Sequence, residues 1–137
     1  MSVALDQLIP HRAPMQWITA LTGCTETTAT ATACFGENDF AVADGKVLET
    51  ALVECVAQTV AAALGQRAQA GGGKSRAAAN GMLVAVSNFK ILSRPLAGKT
   101  VHIEVREVRR LGLMLLVAGT ILCEGQTVAT GELSLYA

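Results

Sequence analysis

The sequence predicts an α+β fold in which one antiparallel sheet wraps around a single long helix. Three observations carry that prediction. A threonine/alanine alternation near the N-terminus has the period of two of a strand, one apolar stretch of helical length follows it, and four strand-like runs separated by short turns complete the chain.

Taken in order, a short turn ends at Pro10 and residues 15–21 read as a first strand. Residues 25–35 read as a second, in which Thr28, Thr30 and Thr32 alternate with Ala29, Ala31 and Ala33 and so give the strand one small-residue face. Gly36-Glu37-Asn38-Asp39 is turn-like, and a loop containing Asp44-Gly45 leads to the helix. Residues 47–69 hold no breaker except Gly65 and make a helix roughly 34 Å long. Apolar residues surround it, as expected of a buried helix. A glycine-rich polar connection with Gly71, Gly72, Gly73 and Gly81 follows. The remaining strands are residues 82–92, 100–109, 113–123 and 127–136, and the short turns between them predict that consecutive strands are antiparallel neighbours. In the second of these, Val101, Ile103 and Val105 alternate with His102, Glu104 and Arg106, so one face is buried and one wet. A helix apolar on all sides needs cover beyond one sheet, and a second subunit would supply it, so a dimer is expected.

The 137 residues suit a single domain, 1–137. With 51% hydrophobic and 16% charged residues and a mean hydropathy of +0.41, the chain is more apolar than a typical monomer. That predicts either a large subunit interface or an apolar ligand. Zero formal net charge gives no field to attract nucleic acid. The opening MSVALDQLIPHRAP lacks a secretory signal, so a cytoplasmic protein is expected. Glu49, Thr50, Glu54, Gln58 and Thr59 interrupt the helix too often for a membrane span. Cys24, Cys34, Cys55 and Cys123 have neither zinc-site nor disulfide spacing relative to one another or to His11 and His102, so no metal is expected.

Glu54 is the outstanding candidate for chemistry, because a carboxylate within Leu52-Val53-Glu54-Cys55-Val56-Ala57-Gln58 must be paired, hydrogen-bonded or shifted in pKa. Gln58 lies one turn later on the same face and is placed to orient it. Ala51, Ala61 and Ala62 lie near that stripe and would leave a gap for the carboxylate to face. Asp44-Gly45 lies just before the helix, whose first N–H groups suit a thioester carbonyl or oxyanion. Glu49 has a routine explanation in the helix dipole. His102 is on the wet face of its strand, and His11 is an imidazole near the chain start that would have to reach a site at the helix start. Gly73-Lys74-Ser75 lacks the earlier glycine of a phosphate loop, since Ala68 stands there. Arg67, Lys74, Arg76, Lys90, Arg94 and Lys99 are either solvated surface or a docking face for an acidic carrier or coenzyme phosphate.

With those residues in view, the chain resembles the 3-hydroxyacyl-acyl-carrier-protein dehydratases of the FabA/FabZ type, and within them the divergent dehydratase-like proteins of aryl polyene gene clusters. Leu8-Ile9-Pro10-His11-Arg12-Ala13-Pro14-Met15 looks like the family's LxPHRxPM opening. Val53-Glu54-Cys55-Val56-Ala57-Gln58 looks like its helix motif IExMAQ, and Phe89 to Gly98 like its F-x-x-PVxPG strand and turn. The resemblance implies a hotdog fold, a dimer with sites at its interface, an acyl chain carried on phosphopantetheine or coenzyme A as substrate with no further cofactor, and an acyl carrier protein as partner. It carries the family's catalytic carboxylate onto Glu54. The family's catalytic histidine falls at Phe40, and residues 40–48 contain neither His nor Pro.

Three functions follow as expectations. The first is dehydration of a 3-hydroxyacyl thioester, with Glu54 as acid or base and His11 assisting. The second is thioester hydrolysis, in which the helix carboxylate activates water or attacks the thioester and needs no histidine. The third is a non-catalytic acyl-binding subunit, or one that completes the site of a histidine-bearing partner in a heterodimer.

Overall fold

The computed structural model describes residues 16–70 and 82–136. The N-terminal turn, His11 and the glycine-rich connection lie outside the described residues. Strand β1 (Ile18–Cys24) turns through Thr25 to Thr28 into β2 (Thr28–Cys34). The turn is closed by the Thr25 amide donating to the Thr28 carbonyl at 2.8 Å and by the Thr25 hydroxyl accepting from the Thr28 amide at 3.0 Å. The alternation in β2 does what it predicts: Ala29, Ala31 and Ala33 are buried while the threonines face outward. There their hydroxyls join the two strands, Thr19 with Thr32 at 3.1 Å and Thr22 with Thr30 at 2.9 Å.

A small hairpin of β3 (Val42–Ala43) and β4 (Lys46–Val47) precedes helix α1 (Glu49–Ala70). Strands β5 (Met82–Ile91), β6 (Thr100–Leu111), β7 (Met114–Cys123) and β8 (Gln126–Tyr136) follow. The larger sheet has the order β1-β2-β6-β7-β8-β5, antiparallel at every step. This corrects the expectation that all four last strands are sequential neighbours. β5 lies at the far edge against β8, while β6 pairs with β2. The segment between β5 and β6 is long enough to cross the end of the sheet, so short turns govern only the β6-β7-β8 meander. The first strand runs from Ile18, and Met15, where the sequence starts it, lies outside the described residues.

The sheet's inner face presents Val101, Ile103, Leu115, Val117, Ile121 and Leu133, all buried, to α1. Leu52, Cys55, Val56, Thr59 and Ala63 of the helix pack onto it and are likewise buried. Thr59 is tolerated there because its hydroxyl donates to the Cys55 carbonyl at 2.8 Å. Close approach at the middle of the helix depends on Gly119, where a Cβ would lie 2.7 Å from Val56 Cγ1. One flank of α1 is not sealed by its own sheet: Val53, Glu54, Ala61 and Leu64 remain half-buried. Among the described residues no helix is long and apolar enough to cross a membrane.

Candidate active site

Glu54 stands on that open flank, in the second turn of α1, half-buried. Gln58, one turn on, donates from Nε2 to Glu54 Oε2 at 3.3 Å. Gln58 itself has no exposed surface, and its Oε1 accepts from the amides of Trp17 at 2.9 Å and Ile18 at 3.3 Å. A buried carboxamide fixed at its oxygen by two backbone donors has its NH2 aimed in one direction. It therefore holds the carboxylate in a set orientation. The pairing of positions 54 and 58 is readable from helical spacing; the anchoring by the start of β1 is not, because a backbone donor leaves no mark in the sequence. Of the three alanines expected to leave a gap near Glu54, Ala51 and Ala62 are sealed in the core and only Ala61 is partly exposed.

The neighbouring Cys55 thiol is buried against the sheet. Burial first, and the Glu54 carboxylate second, push its pKa well above the ordinary thiol value. It is therefore a protonated core residue and not a nucleophile. The other free cysteines are Cys24, partly exposed, Cys34, exposed, and Cys123, buried. No cluster of metal-ligating side chains occurs among the described residues.

Asp44 and Gly45 form the turn of the β3-β4 hairpin, both in the left-handed region with φ of 56° and 74°. The Gly45 carbonyl accepts from the Ala97 amide at 2.9 Å. Glu49 is exposed in the first helical turn. His102 is exposed on the outer face of β6, paired across the ladder with Thr32 and Leu122, and cannot serve a site on the helix.

Phe40 is 57% exposed, and its ring meets Trp17 edge-on at 6.2 Å, as Trp17 in turn meets Phe35. Together with Gln16, Thr19, Cys34, Asn38 and Asp39 they line a cleft of about 340 Å³. The aromatic position expected to replace an imidazole is thus at the surface, one residue removed from the backbone that anchors Gln58.

Two of the basic residues singled out in the sequence are committed to the fold. Arg67 donates from Nε to the Thr25 carbonyl at 2.8 Å and from Nη2 to that of Thr28 at 3.3 Å. Arg94 donates to the carbonyls of Val47, Ala43 and Lys46. Lys99 pairs with Glu124 at 3.4 Å. Cations that sequence reading missed are Arg106 and Arg109, exposed on the outer face toward the end of β6, near Leu111 and Leu113, which are 66% and 55% exposed, while Arg110 is paired with Glu107 at 3.7 Å. The signal was present as Arg109-Arg110-Leu111-Gly112-Leu113, a charged and apolar run at a turn.

No curated protein matches the sequence. Among solved structures, the fold is similar to that in "The Dehydratase Heterocomplex ApeI:P from Xenorhabdus doucetiae", with a TM-score of 0.87, 17% identity, and 99% of this chain and 91% of that one covered. It is also similar to a hypothetical thioesterase with coenzyme A from Streptococcus pneumoniae TIGR4, with a TM-score of 0.68, 11% identity and 85% and 83% covered. The PaaI protein of the E. coli phenylacetic acid degradation operon has a TM-score of 0.67, 13% identity and 85% and 81% covered. These likenesses establish the hotdog fold that the motif order implies. The family match, over residues 3–137, goes further: this chain belongs to the ApeP-like family, described as ApeP dehydratase, and is a dehydratase-like hotdog protein.

Proposed function

We propose that this chain is one half of a two-chain 3-hydroxyacyl-thioester dehydratase, contributing the Glu54 carboxylate to a site whose imidazole belongs to a second hotdog subunit. The observation that carries this reading is the Gln58-oriented carboxylate on the open flank of α1, with Phe40 standing at the histidine position. Dehydration requires a base to take the α-proton and an acid to protonate the departing β-hydroxyl. The partner's neutral imidazole takes the α-proton, the C–O bond breaks, and Glu54, entering the step as the carboxylic acid, gives its proton to the hydroxyl, which leaves as water. The imidazolium then returns a proton to the resulting carboxylate, so both groups are reset. The half-buried stripe of Val53, Ala61 and Leu64 gives a partner an apolar surface beside that carboxylate. The heteromeric state of the Xenorhabdus doucetiae dehydratase supports a mixed pair over a self-sufficient one.

The substrate is an acyl chain held through phosphopantetheine, with the first amides of α1 and the Asp44-Gly45 turn near its thioester carbonyl. Its carrier protein docks at the end of β6 around Arg106 and Arg109, whose charge and neighbouring leucines suit an acidic, amphipathic surface.

The test is to purify the chain alone and with a histidine-bearing hotdog subunit, and to follow conversion of 3-hydroxyacyl to 2-enoyl carrier thioesters. The complex should turn over, Glu54→Gln in this chain should cut that turnover by about 10³-fold, and Phe40→His should give the chain measurable activity alone. A complex indifferent to Glu54→Gln sinks the proposal. Release of free thiol in place of enoyl product would shift the assignment to thioester hydrolysis.

A further inference from the structure

Resting on that reading, we propose that Arg94 is a positioning residue for the thioester-binding end of α1. Its guanidinium ties the loop after β5 to both strands of the β3-β4 hairpin, directly before the helix begins at Glu49. Nε donates to the Val47 carbonyl at 2.9 Å, and Nη2 donates to those of Ala43 at 2.9 Å and Lys46 at 3.0 Å. These three carbonyls flank the Asp44-Gly45 turn, whose two residues are both left-handed, as an Asp-Gly pair favours in a two-residue hairpin. The rest of the loop completes the clamp. Val47 donates to the Pro95 carbonyl at 2.8 Å, Ala97 to that of Gly45 at 2.9 Å, and Gly98 to that of Phe35 at 2.8 Å.

The consequence reaches the helix. Leu48 donates to the Ala41 carbonyl at 2.7 Å, and the Leu48 carbonyl accepts from Ala51 and Leu52. The amides of Glu49 and Thr50 are thereby left as the exposed donors at the helix start, and their direction is set by the hairpin that Arg94 holds. Because a guanidinium presents its donors in a rigid planar fork, it spans three carbonyls at once, which an ammonium on a flexible stem cannot do in fixed geometry. Arg94 touches no part of the site itself. It acts through the backbone it arranges.

The experiment compares the wild-type complex with Arg94→Met and Arg94→Lys by amide hydrogen exchange, by binding of a non-reactive thioether analogue of the acyl-pantetheine substrate, and by turnover. Exchange at residues 42–50 should quicken at least about tenfold in both variants while β7 and β8 keep their protection. Analogue affinity should fall, kcat should fall more than KM rises, and millimolar guanidinium should restore part of the loss in Arg94→Met. If exchange at 42–50 is unchanged, or quickens equally throughout the sheet, Arg94 is not a positioning residue. If the wild-type complex shows no dehydration, the reaction assigned above fails, while exchange and analogue binding still decide the role of Arg94.

Discussion

The two ends of α1 are each tied down by one arginine bonded to backbone carbonyls, yet the two ties do different things. At the C-terminal end Arg67 belongs to the helix and reaches out to the regular turn between β1 and β2. A cation in the last turn also complements the helix dipole, so its role is to hold packed elements together. At the N-terminal end Arg94 lies outside the helix and reaches in, bonding a hairpin that includes two left-handed residues. The same chemistry serves stability where the backbone is regular and geometry where it is irregular. The carboxylate of Glu54 and the Asp44-Gly45 turn both lie toward the second kind of end.

That contrast can be broken or sharpened in a series of decreasing effect. Glu54→Gln in the partnered protein should cost about 10³-fold in turnover, the scale of a lost general acid, with little change in melting temperature. A large fall in melting temperature would make the carboxylate structural and erase the difference between the ends. Gly119→Val drives a side chain into Val56 at mid-helix and should cost about 1–3 kcal/mol in urea unfolding, loosening both ends alike. Arg67→Met should lower stability by about 1 kcal/mol and leave turnover per folded complex unchanged. Equal losses of turnover in Arg67→Met and Arg94→Met would collapse the distinction.

A further effect, confined to alkaline pH, concerns the thiol between them. Cys55 has its folded pKa raised, so the protein holds a proton that the unfolded chain releases above its ordinary value of 9.0. Its contribution to stability is full below that value and is lost as pH rises toward the folded one. The loss is about 0.4 kcal/mol at pH 9 and approaches about 1.4 kcal/mol per further unit. Urea midpoints measured across pH 8–10 should show this slope in the native sequence and a weaker one in Cys55→Ala.

What could be read from the sequence followed the range of the interactions responsible. The alternations in β2 and β6 are local, each inward residue two places from the next, and they specify both strands and their faces directly. The long helix and the 54–58 pair are likewise matters of spacing along one element. The β3-β4 hairpin has strands of two residues, too short for any period to register. The placing of β5 beside β8 depends on which edge accepts it, a property of the assembled sheet. Arg94 looked like any solvated cation, because its three acceptors are carbonyls that no residue type announces.

The pairing of β2 with β6 also sets an order of events in folding. Residues 28–34 must find residues 100–106 across the whole helix and β5, whereas β6, β7 and β8 meet through tight turns. The meander can therefore nucleate early, and the β2-β6 seam, with its costly loop closure, is the natural late and rate-limiting step. Until that seam zips, the small-residue face of β2 cannot cover the helix. A chain in that state exposes apolar core surface of the kind that favours association between unfinished molecules.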